Sequence, residues 1–459
     1  MNAIAALERF RGRCVGVLGL ARSGLAAARA LQAAGASVRA WDDDPAALAR
    51  HTDLAPGRAG DVADLAALVV SPGVPLSRPA PHPLVQAARG AQVEITCDIE
   101  LFCDGLGPRP LVAVTGTNGK STTSALCHHL LVAAGRDALL GGNIGVPVLD
   151  LDPGPADRIV VLELSSFQLA LCSRLHPRVA CWLNLSPDHL DRHGDLAGYA
   201  AAKMRIFANQ RAGDTAVVGI DDAPSRAAAA ALAGASLVRV STEEALAEGV
   251  FVRDGWLVEA SHGAARAVAD LRQLPCLPGR HNQQNVAVAF AALRALGLAA
   301  DEIVAGLASF PGLPHRLEEV ARSGGLRWIN DSKATNPEAA ARALVSFRHI
   351  YWIAGGRAKP GGFAGLRGCL AAVRAAFLIG EAATAMADEL GDVVKVTVVG
   401  TLEAAVAAAA RAAALDGPED AVVLLAPACA SFDQFHSYEQ RGDQFRRLAR
   451  IYAAGRVAA

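Results

Sequence analysis

A β-rich run, VAVT, leads into Gly116-Thr117-Asn118-Gly119-Lys120-Ser121-Thr122, and a helical pattern follows. Glycines there let backbone N–H groups converge on phosphate oxygens, and the helix N-terminus adds a partial positive charge. Lys120 would reach β- and γ-phosphates, and the Ser121 hydroxyl would ligate Mg²⁺. The loop is shorter than the general GxxxxGK[ST] form, which needs glycine at 114, where Val114 stands. The competing reading is a plain glycine turn, which leaves the Lys-Ser pair directly after it unexplained. Further along, Glu163 ends the apolar run IVVLEL. It suits a Mg²⁺ ligand beside a phosphate loop, or else a water-exposed acid at a strand end. Asn184 to His193 (NLSPDHLDRH) is a polar cluster after another apolar run. His189 lies in it at a strand's C-terminal end, where α/β sites form. Lys203, in YAAAKMRIF, is on type alone a solvated lysine. Asn143 lies in GGNIGVP, which is equally an ordinary turn, and Asn282 in GRHNQQN also suits a helix cap.

These residues need elements to position them. Short apolar β-rich runs alternate with Ala/Leu-rich helical patterns along most of the chain, which argues for parallel sheets covered by helices. Three α/β blocks follow, covering 1–98, 99–310 and 311–459. In the first, strands are expected at 14–20, 37–41 and 65–70, with a helix at 24–34. Its Gly16, Gly19 and Gly24 do not fit GxGxxG, so a nucleotide diphosphate at the first helix N-terminus is a better expectation than a dinucleotide. The second block carries strands at 110–115, 159–164 and 179–185 and a long helix at 281–296. The third carries strands at 327–331, 349–356, 393–400 and 421–427.

Acidic and basic residues nearly cancel, 45 against 44, which argues against a nucleic-acid partner. The nine cysteines form no CxxC pair and no zinc-spaced cluster. Glu8 and Arg9 interrupt the N-terminal apolar run, so it does not read as a signal peptide. The most apolar helical stretch, 402–415, is too short and too rich in alanine to span a bilayer. A cytoplasmic protein acting away from membranes, as a monomer, is expected.

GTNGKS, SPDHLDRH and NDSKATN together resemble the Mur ligase and folylpolyglutamate synthetase superfamily, and the resemblance runs the whole chain in order. It implies a three-domain α/β fold: a Rossmann-like N-terminal UDP-binding domain, a central P-loop ATPase-like domain and a Rossmann-like C-terminal domain. It also implies amide-bond formation in the cytoplasmic assembly of peptidoglycan precursors. ATP would phosphorylate a carboxylate, and an amine would attack the acyl phosphate. The implied substrates are UDP-N-acetylmuramoyl-L-alanine, D-glutamate and ATP, with two Mg²⁺ ions. Residues carry over one by one. The loop residues 116–122, Asn282, Asn285, Arg316, Asp331 and Lys333 would hold ATP, with Arg316 at the γ-phosphate. Ser121, Glu163, His189 and Lys203 would serve the metals, Lys203 as a carbamate formed with CO₂. Ser23, Asp42, Ser71, Gly73, Asn143, Ser165, Gln168 and His189 would contact the UDP substrate. Thr335, Lys359, Ser431, Phe432 and Tyr438 would contact the amino acid. Asp42-Asp43-Asp44 is more acidic than the family's uracil end, and Tyr438 replaces a common Phe. Competing readings are a P-loop NTPase with no amine acceptor, a Rossmann-like binding module with a dead phosphate loop, a ligase adding L-glutamate, and a folylpolyglutamate synthetase-like enzyme. The last family lacks a dedicated UDP-binding block before the phosphate loop.

Overall fold

The computed structural model describes residues 6–274, 276–359, 361–417 and 420–455. Residues 1–5 of the N-terminal stretch and Pro360, beside Lys359, lie outside them. The chain divides into two compact units. One holds the residues up to Leu271 together with Gln284–Ala308; the other holds Arg272–Gln283 and the residues from Ser309 on. Three sheets form the framework, two in the first unit and one in the second.

The first sheet is all parallel, with strand order Ala55–Pro56, Ser37–Trp41, Cys14–Leu18, Ala67–Val70, Glu94–Thr96. Its central strands are apolar on both faces because helices cover both, as parallel sheets require. Helix Arg22–Ala33 packs its alanine face closely against this sheet. A Cβ on Gly24 would stand 1.8 Å from the Gly19 carbonyl oxygen, so only glycine permits that approach.

The second sheet has nine strands. Its parallel core runs, in spatial order, Ser236–Ser241, Thr215–Gly219, Val179–Trp182, Leu111–Thr115, Ile159–Glu163, Ala138–Gly142. Beyond it lies a meander, Gly249–Arg253, Trp256–Ser261 and Ala264–Asp270, whose strands pair antiparallel with one another. Helix Lys120–Ala133 follows the phosphate loop, and helix Arg280–Ala295 crosses the division between the units.

The third sheet has six strands, in the order Glu318–Ser323, Leu326–Asn330, Val422–Leu425, Ile350–Gly355, Val373–Ile379, Val396–Gly400. All pair parallel except the first two. Trp328, Trp352 and Tyr351 are fully buried in its two cores. No helix among the described residues is long and apolar enough to cross a membrane.

Candidate active site

In the first unit, four adjacent parallel strands end at the same edge, and each delivers one candidate motif. Leu111–Thr115 leads to the glycine loop, Ile159–Glu163 ends on its acid, Val179–Trp182 leads to the His189 cluster, and Ala138–Gly142 precedes Asn143. Parallel α/β sheets place their sites at such carboxyl ends.

The glycine loop is shaped by its neighbours. Gly119 sits at φ 87° as the N-cap of helix Lys120–Ala133, and a Cβ there would meet Asn285 Oδ1 at 2.2 Å. Gly116 sits at φ 152°, and a Cβ there would meet Leu183 Cβ at 2.9 Å. Asn184 brackets Asn118: its Oδ1 accepts from Asn118 N at 3.0 Å, and its Nδ2 donates to Asn118 O at 3.2 Å. Thr117 Oγ1 donates to Ser186 O, and Thr123 Oγ1 donates to Asn285 Oδ1. Asn285 thus stands behind the loop, fixing its first helical turn. Asn282 lies on the same helix, buried, with its amide on Pro278 O. Ser121 is buried and Thr122 nearly so.

Two lysines meet over this loop. Lys120 Nζ donates to Gly116 O at 2.9 Å and Thr117 O at 2.8 Å. Lys203 Nζ donates to the same Gly116 O at 2.7 Å and lies 3.4 Å from Thr115 Oγ1. Lys203 is 1 % exposed and rests over the Tyr199 ring at 4.7 Å. Burial, and then the nearby Lys120 charge, pull its amine well below the usual lysine range. Asp188 and Glu163 oppose that shift. Residue type alone makes Lys203 a solvated lysine; its burial agrees instead with the family resemblance, which calls for an amine whose pKa is lowered by burial or nearby cations.

Glu163 is 2 % exposed; Asn143 Nδ2 donates to its Oε1 at 2.9 Å, and its Oε2 has no hydrogen-bond partner. A buried carboxylate oxygen left over within the field of Lys203 is a fit for a cation carried in with phosphates. Among the described residues no group of three His, Cys, Asp or Glu is preassembled for a metal. Mg²⁺ is usually held by one or two carboxylates plus substrate phosphates and needs no such cluster.

His189 takes φ 54° at the start of helix Leu190–His193, with Nε2 3.5 Å from Asp188 Oδ2 and its ring edge-on to Phe167 at 4.9 Å. His193 stacks on Phe167 and hydrogen-bonds Ser166 Oγ at 2.9 Å. Burial lowers its pKa, which favours the neutral ring. The Arg192 guanidinium lies over the Phe167 ring at 4.7 Å and donates to Gly73 O and Val74 O, tying this cluster to the first sheet's loop.

That loop borders a cleft of 380 Å³ lined by Gly19, Arg22, Ser23, Asp42, Ser71 and Gly73 among others. Asp42 accepts from Leu20 N at 2.6 Å and from Asp44 N, and Ser71 Oγ donates to Gly19 O. The three acids therefore have separate tasks: Asp42 latches the turn, Asp43 faces His82 at 3.0 Å, and Asp44 caps helix Pro45–Ala49. A second cleft of 200 Å³ shares Arg22 and Ser23 and adds Asn143 and Gln168. Ser165 and Gln168 form a capping box for helix Ser166–Leu171.

In the second unit, three adjacent strands deliver the remaining motifs: Leu326–Asn330 to 331–335, Val422–Leu425 to 428–432, and Ile350–Gly355 to 356–359. Backbone bonds stitch these loops together: Ala428 N to Ala334 O, Arg357 N to Ala430 O, and Ala430 N to Arg357 O, each 2.9 Å. Ser431 is buried, while Phe432 and Lys359 are exposed. Lys333 Nζ lies 5.0 Å over the Tyr438 ring. Thr335 N donates to Lys333 O, which holds that turn tight. Burial pushes the Asp331 carboxyl up to about 7, against the pull of Arg316 and of the Leu317 N–H.

Residues to which sequence assigned no role of their own are Asn184, Thr123, Arg22, Arg192 and Arg441. Their polar groups are spent on backbone or on other motif residues, which type and spacing alone do not reveal.

A glycine loop, two lysines and a buried acid at one sheet edge suit chemistry on nucleotide phosphates, and the comparisons fix the family as one of ATP-dependent ligases. Residues 114–293 match the Mur ligase middle domain, and residues 315–429 match the Mur ligase, glutamate ligase domain. The chain belongs to the Mur ligase family. Among its curated relatives, UDP-N-acetylmuramoylalanine–D-glutamate ligase of Phenylobacterium zucineum is 49% identical, the match covering 98% of each chain. The protein of the same name from Nitrobacter hamburgensis is 50% identical over 96% of this chain and 97% of its own. The α/β fold of three sheets is shared with the MurF ligase from Thermotoga maritima, solved in complex with ADP: TM-score 0.60, 17% identity, covering 98% of this chain and 99% of that one.

Proposed function

We propose that this chain joins D-glutamate to UDP-N-acetylmuramoyl-L-alanine at the expense of ATP, a step in peptidoglycan precursor synthesis. The observation that carries the chemistry is the meeting of Lys120, Lys203 and Glu163 at one sheet edge around a glycine loop. The near-full-length likeness to curated D-glutamate ligases supplies the substrates.

A carboxylate is a poor electrophile, so it must be activated. The terminal L-alanine carboxylate attacks the γ-phosphorus of ATP, giving an acyl phosphate and ADP. The glutamate amine then attacks the acyl carbon, loses a proton, and the tetrahedral intermediate collapses with release of phosphate. In this reading the loop amides of 116–119, Lys120 and Thr122 cradle the phosphates, and Arg316 offsets charge that grows during transfer. Asn282, Asn285, Asp331 and Lys333 bear on ATP, Asn285 by holding the loop. Mg²⁺ supplies charge neutralisation and would be held by Ser121, Glu163 and His189, with two ions if Lys203 is carbamylated. A depressed, neutral Lys203 amine is what addition to CO₂ requires.

The cleft at Ser23, Asp42, Ser71 and Gly73 would take the UDP end, and Asn143, Ser165 and Gln168 the muramoyl-peptide, through the adjoining cleft. Thr335, Lys359, Ser431, Phe432 and Tyr438 would receive the glutamate. Domain limits near 98 and 310, a cytoplasmic location and a monomeric state complete the reading.

Lys120→Ala is the direct test. It should remove at least 99% of ATP-dependent phosphate release (roughly a hundredfold or more, as for lost phosphate-charge contacts) while circular dichroism stays unchanged. A folded variant with near wild-type turnover would contradict the phosphate-loop assignment.

A further inference from the structure

The C-terminal helix Tyr438–Ala453 places one guanidinium under the loops of the second unit. Arg441 is 1 % exposed. Its Nε donates to Ser332 Oγ at 3.0 Å; its Nη2 donates to Ser332 O at 2.8 Å and Cys429 O at 3.2 Å; its Nη1 donates to Cys429 O at 3.2 Å and Ala430 O at 3.4 Å. Ser332 Oγ passes the connection on, donating to Tyr438 O at 2.8 Å. A Cβ on Gly356 would lie 3.2 Å from Nη1, so the third loop also packs on the guanidinium.

A buried arginine is ordinarily paired with a carboxylate, because an isolated charge is costly to desolvate. Here every hydrogen-bond partner is a neutral oxygen, and burial lowers the pKa to about 10, which leaves the group charged at neutral pH. Among the described residues, Asp433 is the carboxylate whose field bears on it. A planar fork that spends its donors on two loops fixes their spacing, which an ammonium cannot do. Its charge lies beneath both loops with no carboxylate hydrogen-bonded to it among the described residues.

We propose that Arg441 is a positioning residue for the amino-acid site: it clamps the 331–335 loop to the 428–432 loop and biases the pocket between them toward a carboxylate. This rests on the reading that those loops receive glutamate.

The test compares Arg441→Lys, which keeps the charge without the fork, and Arg441→Met, which loses both, with Ser431→Ala as the control on the pocket itself. Steady-state constants are measured for D-glutamate, ATP and the UDP substrate, with melting temperatures to show folding. Formation of acyl phosphate without glutamate is followed by hydroxylamine trapping. Arg441→Met should raise the glutamate KM roughly tenfold or more, the scale of hydrogen bonds to a charged group. Arg441→Lys should raise it less but by more than twofold. In both, the KM for ATP and the trapped hydroxamate should stay within twofold of wild type. Either variant, folded, with an unchanged glutamate KM while Ser431→Ala raises it, overturns the proposal and leaves the pocket standing. If Ser431→Ala also leaves it unchanged, the pocket assignment fails with it. Should Arg441→Met not fold, Arg441→Lys alone decides.

Discussion

An amine held between a backbone carbonyl, a threonine hydroxyl and a tyrosine ring is in a place where its cation is costly. Lys203 has that setting, and Lys120 shares its carbonyl. Nothing in the sequence YAAAKMRIF separates it from a surface lysine, because its burial comes from Thr115 and Gly116, 87 or 88 positions away. The glycine loop was legible, since Gly116 and Gly119 are required by a local turn and by Lys-Ser beside it. The expected chemistry is addition of CO₂ to the neutral amine with loss of a proton. Protein equilibrated with ¹³C-labelled CO₂ near pH 8 should therefore show a carbamate carbon resonance. It should weaken as pH falls, because protonation removes the nucleophile, and should be missing from Lys203→Ala. A wild-type spectrum without the signal, together with full activity of Lys203→Ala, would refute carbamylation.

Elements position these residues through contacts distant in sequence, and Glu100 is the clearest case. It lies on helix Asp98–Asp104 at 1 % exposure, and its Oε1 accepts from Ser173 N at 2.8 Å, Ser173 Oγ at 2.6 Å and Arg174 N at 2.7 Å. One oxygen thereby fastens that helix to the turn after helix Ser166–Leu171, which carries Phe167 and Gln168. Glu100→Gln keeps an acceptor and should change stability little. Glu100→Ala strands two backbone donors and a hydroxyl, and should cost about 2–4 kcal/mol in chemical denaturation. Equal stability of the two variants would show that the clasp contributes nothing. At this scale the buried parallel strands were readable as continuous apolar runs: Ser37–Trp41 falls on its expected residues, and Leu111–Thr115 and Ile350–Gly355 within one or two. The meander at 249–270 was not, because Ala264–Asp270 is largely exposed and shows no apolar run. Its turn did leave a trace: Asp254-Gly255 is a hairpin signal, and Asp254 adopts φ 52°. Strand Val373–Ile379 was passed over in the sequence although its last five residues are buried, since VRAAF reads equally well as helix.

At the scale of the molecule, each compact unit carries its own set of strand-end loops: phosphate loop, acid and paired lysines in the first, and the Asp331, Ser431 and Lys359 loops in the second. The order of motifs made both sets legible. What the sequence left open was how each loop is braced, because Arg192, Asn184 and Arg441 act through backbone carbonyls and amides that no residue pattern marks. The chain attaches D-glutamate to an L-alanine carboxylate that ATP activates. A pocket that fixes both carboxylates and aims the amine must misplace at least one group of the mirror-image amino acid. The most direct measurement is ATP-dependent phosphate release and product formation with UDP-N-acetylmuramoyl-L-alanine, Mg²⁺ and, in parallel, D-glutamate, L-glutamate and D-aspartate. Turnover with D-glutamate at least roughly a hundredfold above the other two is expected for a site that hydrogen-bonds all three groups. Equal or faster turnover with L-glutamate, or phosphate release that needs no amino acid, would contradict it.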